Sequence, residues 1–151
     1  GMGVPREAVR LIRSSGGSKV DGIRMVGVQS GRDWTREMYA YSRERVKALE
    51  CLGLSGYILK SKSPSCGMER VEVHSRNGVA AKEGRGLFAT VLLERFPLLP
   101  VEEEGRLDDP VLRESFIERV SSYHRSLLGT CHLETPSFEP RPISCLREHE
   151  P

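Results

Sequence analysis

Short apolar runs alternate along this chain with longer stretches in which apolar residues recur every three or four positions. The run GIRMVGV (residues 22–28) has the length of a buried strand. Asp33 then offers an N-cap for a helix through TREMYAYSRERVKALECL, in which Met38, Tyr41, Arg45, Leu49 and Leu52 fall at helical spacing. Arg45 contributes its aliphatic stem to that face, and Gly53 is placed to stop the helix. GYILKS reads as a second strand, and the alternating MERVEVHS as a third at a sheet edge. GRGLFATVLLERF pairs Leu87 with Val91 and Phe88 with Leu92, a helix that Pro97 closes. LLPVEE is a further short strand. In DDPVLRESFIERVSSYHRSLL, Asp109 sits at an N-cap and Pro110 at the first helical position, ahead of an apolar stripe of Phe116, Val120, Tyr123 and Leu127. Upstream, AVRLIR, the turn SSGGSK and DGIRMVGV suit a hairpin.

Strand and helix alternating at this spacing predict an α/β fold: a mostly parallel sheet flanked by helices, a Rossmann-like three-layer arrangement. The strands near residues 23–28 and 56–61 are expected as parallel neighbours, joined right-handedly by the helix across 35–52. Ligands of open α/β sheets collect beyond the carboxyl ends of the strands. The loop in KSKSPSCGMERV leaves GYILK at such an end and carries Cys66 among serines and glycine, so topology alone makes that thiol a functional candidate.

Composition adds limits. The chain has 151 residues, 38% hydrophobic and 29% charged, which suits one domain or a domain with an appendage. A net charge of +2 makes no case for nucleic acid, although residues 1–50 carry ten Lys and Arg against six Asp and Glu. Five acids and one Arg106 between residues 102 and 109 read as a solvated surface. No apolar stretch approaches the roughly 20 residues that cross a bilayer, and no signal-peptide pattern opens the chain. Cys51, Cys66, Cys131 and Cys145 form no CxxC pair, so a reduced, cytoplasmic chain is expected. Residue 1 is Gly rather than Met, which reads as a cleaved, tagged or excised chain, and the proline-bearing segment beyond about Leu128 reads as a weakly packed tail.

A nucleophilic or metal-binding cysteine needs a base or electropositive surroundings to form thiolate. Lys60, Lys62 and Arg70 are near Cys66 in sequence, and His74 follows eight residues on. The four histidines, His74, His124, His132 and His149, have no zinc-ligand spacing. Cys66 also has a plain reading as an ordinary loop residue, and a third as a redox thiol, for which no resolving partner lies nearby.

The segment ILKSKSPSCG, followed by KEGRGLFATVLLERFPLLPVEEEGRLDDPVLRESFIERVSSYHR, resembles the thiouracil desulfurase family. It is most like the longer members that carry a second domain, and GMGVPREAVRL and VGVQSGRDWTREM resemble segments of that arrangement. The resemblance covers about residues 1–125. It implies a [4Fe–4S] cluster held by three cysteines, with one iron open to sulfur of a thiolated pyrimidine such as 2-thiouracil. It makes Cys66 the third cluster ligand and Ser63 a catalytic residue, with Ser65, Gly67, Gly84, Arg85 and Gly86 around the substrate. Turn chemistry, in which side-chain oxygens satisfy backbone amides, is the alternative for Ser63 and Ser65.

The family's Cys-Leu-x-Gly and Cys-Pro-Glu motifs, which supply two ligands and an acidic residue, do not occur in this sequence. The ECLGL around Cys51 follows a helix and does not replace them. The resemblance therefore implies the C-terminal part of a desulfurase domain (1–104), a helix opening a second domain (105–128) and a tail (129–151). The parent would hold the cluster; this chain alone would hold none. The other function class is a cluster-free module that takes a small anion on the GRG helix start. Neither class calls for a nucleic acid or membrane partner.

Overall fold

The computed structural model of the chain describes residues 7–14, 22–75 and 77–130. Among these residues, six strands and three helices run in the order β1 (Val9–Arg13), β2 (Ile23–Gly27), α1 (Thr35–Glu50), β3 (Tyr57–Leu59), β4 (Val71–His74), β5 (Ala80–Gly84), α2 (Leu87–Arg95), β6 (Val101–Glu103) and α3 (Pro110–Thr130), with a 3₁₀ turn at Glu104–Arg106. The chain is α/β, as its alternating pattern predicts.

The strands divide into two sheets. One has the order β2-β1-β4-β5; the other is β3 beside β6. In the first, β1 pairs antiparallel with β2 and parallel with β4, and β4 pairs antiparallel with β5. The β1–β2 hairpin forms as expected, with Leu11 opposite Met25, both fully buried. Its turn, residues 15–21, lies outside the described residues.

The expected parallel pairing of strands 23–28 and 56–61 does not form. One edge of β2 is taken by β1, and a bridge from Val26 to Asp33 occupies the other side of that strand. The segment before α1 thus turns back onto β2 and leaves β3 to pair elsewhere. β3 instead runs parallel to β6, with Tyr57 opposite Val101 and Leu59 opposite Glu103. The larger sheet is mixed rather than mainly parallel. β4 is interior rather than an edge, because β5 (AAKEG) covers it. Those residues have weak strand propensity, and four of the five are exposed. The pair closes through Asn77 and Gly78, with Gly78 at φ 78° and the Ser75 amide donating to the Val79 carbonyl.

Helix starts follow the sequence closely. At α1, Asp33 Oδ1 accepts from the Thr35 amide at 3.0 Å and from its hydroxyl at 2.6 Å, although Trp34 occupies the formal cap position. At α3, Asp109 Oδ1 accepts from the Val111 and Leu112 amides at 2.8 and 3.3 Å. The inward face of α1 is rotated from expectation. Met38, Val46 and Leu49 pack into the core, while Tyr41 and Leu52 are 54% and 55% exposed. Ser42 is buried on that face because its hydroxyl donates to the Met38 carbonyl at 2.7 Å. On α3, Phe116 is buried and Val120 and Tyr123 are half-buried, but Leu127 is exposed.

The core has two parts. Leu11, Met25, Val71, Val73 and Leu87 fill the first, beneath the larger sheet. Val46, Leu59, Phe88, Ala89, Leu92, Leu99 and Val101 fill the second, between the β3–β6 pair and helices α1 and α2. Met38 packs against both. The segment from residue 131 onward, including Cys131 and Cys145, lies outside the described residues.

Leu92 is fully buried and Leu98 is 80% exposed. Leu92→Ala should lower unfolding free energy by about 2–5 kcal/mol, whereas Leu98→Ala should change it by about 0.5 kcal/mol or less. Urea denaturation of the two variants measures both; equal effects would mean the second core is wrongly placed.

Candidate functional site

The loop after β3 is built largely from its own polar groups. The Ser63 hydroxyl accepts from the amides of Ser65 at 3.3 Å and Cys66 at 3.2 Å, and the Ser63 carbonyl accepts from the Gly67 amide at 2.8 Å. These bonds wind residues 63–67 into one tight turn. Lys62 and Arg70 bracket it with left-handed φ values of 57° and 56°, a conformation that costs a side-chain-bearing residue about 1–2 kcal/mol.

The turn docks onto the start of α2. Four consecutive amides donate to it: Gly86 to the Gly67 carbonyl at 2.8 Å, Leu87 to Pro64 at 3.2 Å, and Phe88 and Ala89 to Ser65 at 2.9 and 3.2 Å. Thr90 is the first to bond within the helix, to Gly86 at 2.9 Å. The orphan donors of the helix start are therefore satisfied by loop carbonyls. The approach requires glycine. A Cβ on Gly86 would overlap the Ser65 carbonyl and come within 2.6 Å of the Cys66 amide nitrogen. A Cβ on Gly67 would overlap Val71, and one on Gly84 would overlap Val73. Arg85 ties the same junction, its Nε donating to the Met68 carbonyl at 3.0 Å. Gly67, Arg85 and Gly86 thus come together around the loop, in packing contact with it, whereas Gly84 lies against Val71 and Val73 of β4.

Cys66 is half-buried against the second core, with the Ser65 hydroxyl 3.5 Å from its sulfur. The Ser63 and Ser65 hydroxyls are 3.0 Å apart. Tyr57 also packs against this core, its ring 6.1 Å from that of Phe88. Burial, and then the charge of Cys66, raise the Tyr57 phenol above its ordinary range.

Two acids hold the limbs of the loop. Glu104 Oε2 accepts from the Ser61 amide at 2.6 Å and its hydroxyl at 2.8 Å, while Oε1 pairs with Lys60 at 2.7 Å. Glu103 Oε1 accepts from the Met68 amide at 2.7 Å. The acidic run is therefore not wholly a solvated surface. Glu102 and Glu103 are only 4% and 6% exposed. Glu102 is balanced by Arg106 at 3.0 Å and Arg119 at 3.2 Å. No motif announced these acids; only the β3–β6 register places them under the loop.

His74 lines an open groove of about 1100 Å³ with Arg10, Lys62, Pro64, Arg70 and Glu103, and Cys66 is not among the lining residues. His124 Nδ1 lies 2.9 Å from the Ser55 hydroxyl, and Cys51 is exposed. Among the described residues, no three His, Cys, Asp or Glu side chains are grouped to hold a metal ion. No helix there is long and apolar enough to cross a membrane.

A family model described as 2-thiouracil desulfurase matches residues 1–104, more than half of the 151-residue chain. The match takes in the Cys66 loop, α2 and β6. No curated protein and no solved structure matches the chain.

Gly86→Ala should force the loop off α2 and destabilise the fold by about 1–3 kcal/mol, as overpacking typically does. The same substitution at exposed Gly129, with open space around it, should not destabilise the chain. Thermal unfolding of both variants tests this. Hydrogen bonds from Lys60 and then the Ser61 amide hold the Glu104 carboxyl at about 2, below its ordinary 4.5. A depressed carboxylate stabilises the fold fully above its unfolded value and loses that contribution as pH falls through the folded one. The stability gap between the native chain and Glu104→Gln should be constant above about pH 5 and close between pH 4.5 and about 2. A gap unchanged across that window, measured by urea melts, would contradict this.

Proposed function

Because the chain belongs to the 2-thiouracil desulfurase family, we propose that the Cys66 loop forms part of a site that removes sulfur from a thiolated pyrimidine such as 2-thiouracil. The observation that carries the reading is the presentation of the Cys66 thiol. The loop uses its carbonyls on α2 and its Ser63 hydroxyl on its own amides, while the sulfur has the Ser65 hydroxyl as its polar neighbour.

The cofactor implied for such a site is a [4Fe–4S] cluster. The described residues do not fit the whole group, since they bring no three ligands together. Cys66 is proposed as one ligand, with the other two supplied in the full-length parent. The chain's own groups suggest a division of labour. The Ser63 and Ser65 hydroxyls form a line to Cys66 Sγ, at 3.0 and then 3.5 Å. In this reading Ser65 meets the substrate sulfur and Ser63 orients it or relays a proton through it. The alternative of an anion on the GRG helix start gains no support, because the amides of residues 86–89 already bind loop carbonyls.

The proposed organisation is a desulfurase region over 1–104, a helix opening a second domain over 105–128, and a weakly packed tail over 129–151. α3 begins beyond the matched residues. A cytoplasmic setting suits a reduced thiol and an iron–sulfur site.

In this proposal the isolated 151-residue chain purifies without a cluster. The product of the whole gene, reconstituted anaerobically with iron and sulfide, should show cluster absorbance and release sulfide from 2-thiouracil. Cys66→Ser should abolish both. Ser63→Ala should keep the iron and lower turnover by about 10²–10⁴-fold. A Cys66→Ser protein with full iron content and full rate would reduce the thiol to an ordinary loop residue.

A further inference from the structure

Glu103 stands out among the acids of the chain. It ends β6, opposite Leu59 at the end of β3, and is 6% exposed. A buried carboxylate is costly unless it is paired with a cation or well hydrogen-bonded. Among the described residues Glu103 has no ion pair, in contrast to Glu102, which has two arginines. Its side-chain hydrogen bond goes to the Met68 backbone amide, two residues beyond Cys66, at 2.7 Å. Such a charge-assisted bond is about twice as strong as a neutral one.

The position of that bond matters. The entering limb of the loop is held at Ser61 by Glu104, and the middle at Pro64 and Ser65 by α2. On the leaving limb, Gly86 binds the Gly67 carbonyl, Arg85 the Met68 carbonyl and Arg106 the Glu69 carboxylate, and Glu103 is the buried group that takes the Met68 amide. Glu103 and Glu104 are adjacent in sequence, yet each takes a different limb, because β6 ends beside the point where the loop leaves β3. We infer that Glu103 is a positioning residue, which sets the reach of the Cys66 thiol by fixing the Met68 limb from beneath. This rests on the reading of Cys66 as a working group, but its test does not need iron.

The test is the alkylation rate of Cys66 by iodoacetamide at constant pH, read peptide by peptide, with exposed Cys51 as internal control. Glu103→Asp keeps the charge but is one methylene too short for the Met68 bond. Glu103→Gln loses the charge but keeps the acceptor. Glu103→Ala loses both. Freeing a buried hydrogen-bonded limb should speed Cys66 alkylation about tenfold in the Asp and Ala variants. Gln should stay within about twofold of the native rate, and Cys51 should not change in any variant.

Three results would overturn the inference: native Cys66 rates in the Asp variant, a Gln variant as fast as Asp, or equal acceleration at Cys51. The last would mean general loosening rather than positioning. If Ala fails to fold, the Asp and Gln pair still decides. In the reconstituted whole-gene product, Glu103→Asp should lower kcat with KM little changed. A native protein without desulfurase activity would overturn the proposed function and leave the alkylation comparison standing.

Discussion

The contact between the Cys66 turn and the first turn of α2 organises this part of the molecule. A helix start leaves four amides without partners, and a tight loop folded inward leaves carbonyls without partners. Here each set satisfies the other, through four amides in succession from Gly86 to Ala89. The arrangement works only while residue 86 has no side chain, because the Ser65 carbonyl and the Cys66 amide occupy the place where a Cβ would stand. Helix and loop are consequently joined through one set of hydrogen bonds, and Phe88, whose amide holds Ser65, sends its ring into the core beside Tyr57.

The elements were far more legible than their partners. Asp33, Asp109 and Pro110 mark helix starts through local chemistry, which a sequence displays directly. The hairpin partner of β2 was legible, but the closure of its other edge was hidden, because that turns on the Val26–Asp33 bridge, a contact made by a stretch with no strand pattern. β5 was missed for a different reason: AAKEG has little strand character, and the usable signal was Asn77-Gly78, a turn dipeptide that fits a hairpin. The rotation of α1 follows from Ser42, a polar residue that enters the core by bonding its own helix. A pattern that counts only apolar letters passes over it.

At the candidate site, the position of Cys66 and the serines in the loop after β3 was readable from the sequence. The acids were not. A run of like charge is ordinarily solvent-facing, and Glu102 and Glu103 depart from that because each finds a specific partner in the fold. Arg106 is four residues from Glu102, but Met68 for Glu103 and Arg119 for Glu102 are remote in sequence, and spacing arguments do not reach them. The glycines tell a related story: Gly67, Gly84 and Gly86 look like the glycines of a ligand loop, yet each is accounted for by a side chain or carbonyl already in its place.

The register of β3 against β6 joins Tyr57 to Val101 across the chain. Hairpins and helices close over short loops and form early, whereas a pairing of that separation waits on loop-closure entropy. On a ribosome, which delivers the chain from its N-terminus, the cysteine emerges well before the acids that grip its loop. Until β6 arrives, α2 can dock on the Cys66 turn, but the two carboxylates that take the Ser61 and Met68 amides are not yet in place. The order of synthesis therefore gives this chain an interval in which both limbs of the Cys66 loop lack their carboxylate partners, and the pairing of one three-residue strand brings that interval to a close.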